Sequence, residues 1–524
     1  MTTAIQRPTR PPFYRDVTVL KWVFQIVFLI GIVVAFWILG SFAVENLAKQ
    51  NLAVSWDFMS RPVGFQVAEG FTTLPESGFQ ALLVGITNML RVTISGILAA
   101  TILGILVGVS RLSHNWLVNK LATVFIETIR NIPLLVQIVF WGIVVSIIPD
   151  LVVDETSDGS LKSLFGLRIL PEGWVFASPK GFALPWFVPT EGRWQWVGFM
   201  LIGALVTRYV YRWRIGLQEA GKAEARAFLW SGGVLVLFAI VGIYAHPIMG
   251  IFGPIFGFIA AFFMNTPLIL FQIALALVVV GGAYYIIKKR LDELRTPAGL
   301  GKLSDDDWFR LAMAALVAGA LALFFFLQPG FVRATVGQGT IFGQDIGLSQ
   351  FFTGLENRFS FVSGAPFDFS LPALDGRFNN YSTEAGHIIT RAYFALWVGV
   401  VLYTAAFIGE AVRAGVLAVP KGQSEAGFAV GLKRSQLLRM IVLPQAFRII
   451  LPPVGNQYLN LAKNTSLGIA VAYPDIVQVG QTIFNQTGQT IPIVISWMAW
   501  YSFVSLTLSA IVNRWNKKLK LVER

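Results

Sequence analysis

The chain has 524 residues, of which 55% are hydrophobic and only 13% charged, with a mean hydropathy of +0.66. A soluble protein of this length carries about a quarter charged residues, so a water-soluble globular fold is excluded, and the lack of cysteine excludes disulfides and thiolate metal sites. The formal charge of +13 could suit nucleic acid, but it lies between apolar runs, where the positive-inside rule of membrane proteins accounts for it.

Taken in order, residues 1–21 carry Arg7, Arg10, Arg15 and Lys21 and are expected inside, with no cleavable signal peptide. Apolar runs of about 20 residues then predict spans at 22–43, 80–110 and 132–148. A short inner segment between the second and third holds Lys120 and Arg130, and a Gly-, Pro- and Trp-rich outer loop follows at 149–194. Four more spans are predicted at 195–211, 228–247, 266–287 and 309–327. The run 248–265, broken by Gly and Pro, reads as a re-entrant or interfacial piece. After an outer stretch, 328–384, come spans at 386–408, 449–472 and 491–512 and a basic inner tail. Most Lys and Arg fall on the predicted inner segments, which places both termini inside and requires an even number of spans. The expectation is an all-α polytopic membrane protein of about ten transmembrane helices. Its predicted parts are 1–78, 79–148, an insertion at 149–384, and 385–524.

Three cations remain within predicted spans: Arg91, Arg391 and Lys463. An ionisable group at membrane depth usually faces an interior or a water-filled cavity, where a cation could meet a carboxylate; the alternative is snorkelling to an interface, which Arg391 is well placed to do. Lys463 leads into Asn464, Thr465 and Ser466, polar groups that suit either a path for solute or helix–helix hydrogen bonding. Glu127 and Arg130 are three apart on one helix face and can pair. The segment 419–448 is the conspicuously polar stretch between two late spans. Ser424 reads as an N-cap, with Glu425 in the first turn and Gly431 closing the helix. A second helix is predicted from Arg434 to Val442, stopping before Pro444. A short helix bracketed by Gly422 and Gly431 is suited to docking into a groove on another protein.

Residues Glu425-Ala426-Gly427, then Gly431, then Ile441-Val442-Leu443-Pro444 resemble the "EAA" loop of ABC importer permeases, with Gly427 in place of the usual Ala. Glu127-Thr128-Ile129-Arg130-Asn131-Ile132-Pro133-Leu134-Leu135-Val136-Gln137 resembles a segment of polar amino-acid uptake permeases, as do Glu410 with Arg413 and Lys463-Asn464-Thr465-Ser466-Leu467. Trp56-Asp57-Phe58 and Gly64-Phe65 resemble the outer segment of the general L-amino-acid members. This resemblance implies a five-helix permease core, here with extra helices, in a bacterial cell inner membrane. It implies an amino-acid path working by alternating access, with no enzymatic activity in this chain. The implied partners are two ABC ATPase subunits that use ATP and Mg, a second permease subunit (homo- or heterodimer) and an external solute-binding protein. The chain itself is expected to hold no cofactor and no nucleic acid, and to contact lipid.

Two rival classes are an ion-coupled secondary transporter, which calls for acidic groups at mid-membrane, and a channel or structural protein, which leaves the docking helix unexplained. Gly216–Lys222 has the spacing of a phosphate-binding loop, but Ala223 stands where the magnesium-binding hydroxyl belongs. His114, His246 and His387 are isolated in sequence and show no metal-ligand spacing.

Overall fold

The computed structural model describes residues 17–49, 54–147, 175–219, 227–295, 305–340, 345–360, 364–375, 380–381 and 386–519. The basic N-terminal segment, most of the outer loop 149–194, parts of the inner segments carrying Lys222 and Lys302, and the end of the tail lie outside the described residues. In chain order the helices are α1 (Val17–Lys49), α2 (Gly78–Ser110), α3 (Trp116–Asn131), α4 (Leu134–Ser146), α5 (Arg193–Glu219), α6 (Ala227–Ala245), α7 (Gly253–Asn265), α8 (Leu268–Arg295), α9 (Asp305–Leu327), α10 (Pro329–Val336), α11 (Leu348–Arg358), α12 (Arg391–Leu417), α13 (Lys421–Ala429), α14 (Arg434–Leu437), α15 (Leu443–Asn464), α16 (Ile476–Thr487) and α17 (Thr490–Leu519). The strands are short: β1 (Phe176–Ser178), β2 (Gly181–Leu184), β3 (Trp186–Pro189), β4 (Phe367–Ser370), β5 (Leu374–Asp375), β6 (Asn380–Tyr381) and β7 (His387–Thr390).

Among the described residues, eight helices or helical runs are long and apolar enough to cross a membrane, or nine if α3 and α4 form one bent span. About ten were expected, and two regions account for the difference. α5 is long, but Gln195, Arg208, Arg212 and Arg214 dilute its apolar run. α4 has 13 residues, about 20 Å of helix, too short to cross a hydrocarbon core of about 30 Å unaided. The inner segment before it is the 16-residue helix α3, set at 105° to α4. Residues 248–265 differ too: α6, a 3-10 segment (His246–Phe252) and α7 follow one another as a single helical run.

The chain divides into two compact units, one comprising residues 1–54 and 191–366, the other 55–190 and 367–524. In the first, α5 packs on α6, α7 on α11 and α8 on α9. Gly203 lies against Phe238, and Phe263 stacks on Phe352. Gln272 donates to the carbonyl of Phe325 at 2.8 Å, tying α8 to α9. Lipid-type exposure is plain on α1, where Phe24, Phe36 and Trp37 stand open, as the apolar solvent of a bilayer allows.

The second unit is built around α2 and α12, which run parallel. Gly96 meets Val400, Gly104 meets Ile408 and Gly108 meets Val412, so contacts climb both helices together. Small residues let the backbones close: a Cβ on Gly108 would sit 2.6 Å from the carbonyl oxygen of Gly409. α4 packs antiparallel on α12, with Ile138 on Gly399 and Gly142 near Ala395. α15 meets α12 at Gly415–Ile450 and α17 at Gly455–Val512. Helix starts are fixed by side-chain caps: Ser77 for α2, Asn115 for α3, Thr390 for α12 and Asp475 for α16. At the end holding the N-termini of α2 and α12, β1, β2 and β7 form a small antiparallel sheet that delivers the chain into α12.

Because the atom facing Gly108 is backbone and cannot rotate away, Gly108→Ala should destabilise the core by about 1–3 kcal/mol through overpacking, read as a lower melting temperature of the detergent-solubilised protein. Gly422→Ala, in open space, serves as the comparison and should leave it nearly unchanged.

Candidate functional site

Three polar constellations occupy the second unit. The first is the loop after α12. α13 starts at Lys421 behind Pro420, whose φ of −57° is set by its ring, so Ser424 is not the N-cap and Glu425 lies beyond the first turn. Both are inside the helix, and Glu425 and Ala426 are exposed. Gly431 does close it: with φ +81° it is left-handed, its N–H donates to Phe428 O at 2.9 Å, and Leu432 N–H donates to Gly427 O at 3.1 Å. These two bonds make a Schellman motif. Gly427 is buried, and a Cβ there would approach Leu437 Cδ1 to 2.3 Å. The missing methyl therefore lets the following helix pack directly on α13.

The second helix does not stop before Pro444. α14 passes into a π turn (Leu438–Val442) and then into α15. Leu443 N–H bonds to Leu438 O, five residues back. The wider turn accommodates a proline, which has no N–H and whose ring crowds the carbonyl four residues earlier. Leu443 and Pro444 thus open α15, which also carries Pro452 and Pro453.

The second constellation joins α2, α3 and α12 near the loop. Glu410 bonds Arg111 at 2.5 Å and Arg413 at 2.6 Å, and Arg111 reaches Glu127 at 3.2 Å. The expected Glu127–Arg130 pair does not form: Arg111 takes Glu127, and the Arg130 guanidinium lies 4.9 Å from the centre of the Phe407 ring. Arg111, the residue just past the predicted span 80–110, is the one that bridges the helices. Gln137 donates to Ile129 O at 2.9 Å and Ile132 O at 3.0 Å. It satisfies carbonyls that the α3–α4 bend would otherwise strand.

The third lies at the opposite end of α2 and α12. A cavity of ≈ 410 Å³ is lined by Glu69, Asn88, Arg91, His387, Thr390 and neighbours. Arg91 pairs with Glu69, its Nη2 is 3.2 Å from His387 Nε2, and its guanidinium lies 4.3 Å from the Tyr393 ring centre. Thr390 Oγ1 donates to Glu69 at 2.6 Å and accepts from Tyr393 N–H at 3.1 Å. Burial raises the Glu69 carboxyl, with Arg91 and Thr390 opposing. Burial and then the Arg91 charge lower the His387 imidazole, leaving it neutral at pH 7, an acceptor toward Arg91 and 5.1 Å from the Trp186 ring. Asn88 Nδ2 donates to the carbonyls of Glu69 at 2.7 Å and Pro474 at 2.9 Å. Gly70, at φ +147° with Val84 against it, permits the turn that inserts Glu69.

Arg391 is the first residue of α12 and of its candidate span, exposed at that end. Lys463 is exposed on α15 with Asn464 half-buried. The hydroxyls of Thr465 and Ser466 return to Ala462 O at 2.9 Å and Lys463 O at 2.8 Å, so they serve the helix end. The structure does not bring Lys463 to Arg91's cavity lining. Glu69 was missed in the sequence because it stands in an unremarkable outer segment with no local pattern; the signal was only that Arg91 needed a counter-charge.

Removing Arg111 should matter more than removing Glu127. Arg111 and Glu410 are 17% and 24% exposed, Glu127 62%. Arg111→Gln is expected to cost about 1.5–3 kcal/mol, as for a lost hydrogen bond to a charged group. Glu127→Gln should cost under about 1 kcal/mol, as for a surface pair. Thermal unfolding of the purified variants measures both.

Comparison with known proteins gives a consistent answer. Residues 383–520 match the family described as "Binding-protein-dependent transport system inner membrane component". Over 515 residues the chain is 32% identical to the general L-amino acid transport system permease protein AapQ of Rhizobium johnstonii, covering 98% of this chain and 94% of that one. It is 30% identical over 517 residues to the glutamate/glutamine/aspartate/asparagine transport system permease protein BztB of Rhodobacter capsulatus, covering 98% and 95%. To the putative amino-acid ABC transporter permease protein YhdX of Escherichia coli it is 27% identical over 520 residues, covering 98% and 97%.

Proposed function

Given that this chain belongs to the family of amino-acid ABC transporter permeases, we propose that it forms one half of a translocation path worked by alternating access. α13 is the element on which partner ATPases act. The observation that carries this is the shape of the loop. α13 is short and closed at its C-terminal end by a Schellman turn. Phe428 on the helix (52% exposed) and Val430 at its C-cap (77% exposed) present apolar surface that a groove on another protein would cover. A push on α13 has two routes into the bundle. One is through Pro420 into α12. The other is through Gly427 against Leu437 and Ile441 into the π turn and α15.

In this reading the protein is not an enzyme and needs no cofactor of its own; two ATPase subunits use ATP and Mg. A second permease subunit, identical or related, supplies the other half of the path, and an external solute-binding protein delivers the amino acid. The membrane is a bacterial inner membrane, with the α13 end and both termini cytoplasmic. The network of Arg111, Glu127, Glu410 and Arg413 holds α2, α3 and α12 together just before α13, so that the helices move as a set. Arg91 and the 463–466 segment line or border the path, and the relatives' names support general or polar L-amino acids as cargo.

The chain contains no cysteine, so a single introduced thiol is an unambiguous probe. In inverted membrane vesicles, Phe428→Cys with a thiol–amine crosslinker should capture an ATP-hydrolysing subunit. Phe428→Asp should lower amino-acid uptake by roughly tenfold or more, the loss of about 1.4 kcal/mol or more of docking. A thiol that captures no such subunit, or is labelled by an impermeant reagent in intact cells, contradicts the assignment.

A further inference from the structure

Resting on the permease reading, we infer that the Glu69–Arg91 cavity is a binding site for the zwitterionic head of a free α-amino acid, with Arg91 for the carboxylate and Glu69 for the ammonium. The two charges are opposite, adjacent, and on the wall of one cavity of ≈ 410 Å³. That is the complement of the H₃N⁺–CH–COO⁻ group common to all such substrates. The planar guanidinium presents a fork that matches a carboxylate, and the Tyr393 face beneath it and His387 beside it fix its plane. Glu69 is held from the other side by Thr390 and by Asn88, which grips its backbone.

The arrangement is costly as a purely structural device. The Glu69 side chain is only 9% exposed, and ion pairs taken out of water commonly fail to repay their desolvation. A site for a zwitterion, however, needs each charge satisfied when empty, and a mutual pair does this. On binding, the substrate's two charges replace the pair's partners one for one, so neither protein charge is ever stranded. Recognition through the shared head leaves the side chain to the less specific remainder of the cavity, where Phe71 and Ile388 line the wall. Such a site accepts amino acids of many side chains and rejects molecules lacking either head group.

The test uses the permease complex with its ATPase subunits, purified without the external binding protein, whose own selectivity would mask the result. Melting shifts are titrated with L-leucine and L-glutamine, then with isopentylamine, which lacks the carboxylate, and 4-methylpentanoate, which lacks the amine. Both amino acids should stabilise the complex and both analogues should fail to. Arg91→Gln and Glu69→Gln should each weaken the apparent Kd roughly tenfold or more, as expected for one lost charge-assisted hydrogen bond. The wild-type series stands even if a variant misfolds. Equal shifts with the analogues, no shift with either amino acid, or unchanged affinity in folded variants overturns the site. Those outcomes leave the permease reading intact provided the complex assembles and imports amino acids with its binding protein present; failure to assemble counts against the reading itself.

Discussion

Everything in the second unit depends on how closely α2 and α12 approach. They come from opposite halves of the sequence, run parallel, and meet through Gly104, Gly108 and Gly409. In lipid there is little hydrophobic drive to bring helices together, so close van der Waals contact between small residues supplies the association. That single contact brings two of the three polar constellations into being, the Arg91 cavity and the Arg111 network. At one end it sets Arg91 of α2 beside His387 and Thr390 at the start of α12. At the other it sets Arg111 of α2 beside Glu410 of α12.

The two constellations therefore sit at opposite ends of the same rigid pair, and the loop element α13 hangs from the second of them. Motion applied to α13 enters the bundle at the C-terminal end of α12 and, across Gly427, at the π turn that opens α15. A π turn followed by Pro444, Pro452 and Pro453 makes α15 the helix with the most interrupted hydrogen-bond ladder in the unit. It is the natural place for bending, while α2 and α12 stay locked together.

Much of this was legible in the sequence. Apolar runs located α2 to within two residues at either end, because twenty apolar residues leave few alternatives; α1, α12 and α17 run six to nine residues past their predicted C-terminal ends, where charged and polar residues continue the helix. Gly431 was legible as a helix stop because only a left-handed residue closes a Schellman turn cheaply. What failed was local inference where a distant partner decided the outcome. Glu127 and Arg130 had the spacing to pair, yet Arg111 and Phe407 claimed them. Ser424 had the chemistry of an N-cap, yet Pro420 had already started the helix. Pro444 looked like a stop, yet a π turn absorbed it. Glu69 had no local signature, since its role comes from Arg91 and Thr390, 22 and 321 residues away.

With α13 proposed as the point of contact with the ATPases, its displacement is shared by α15. Electron cryo-microscopy of the assembled transporter, nucleotide-free and with a non-hydrolysable ATP analogue, measures this most directly. The expected result is α13 seated in a groove of an ATPase subunit in both states, moving with the π turn and the first half of α15 while α2 and α12 keep their mutual contact. An α13 that stands free of any partner, or an α2–α12 contact that opens while α15 stays still, contradicts it.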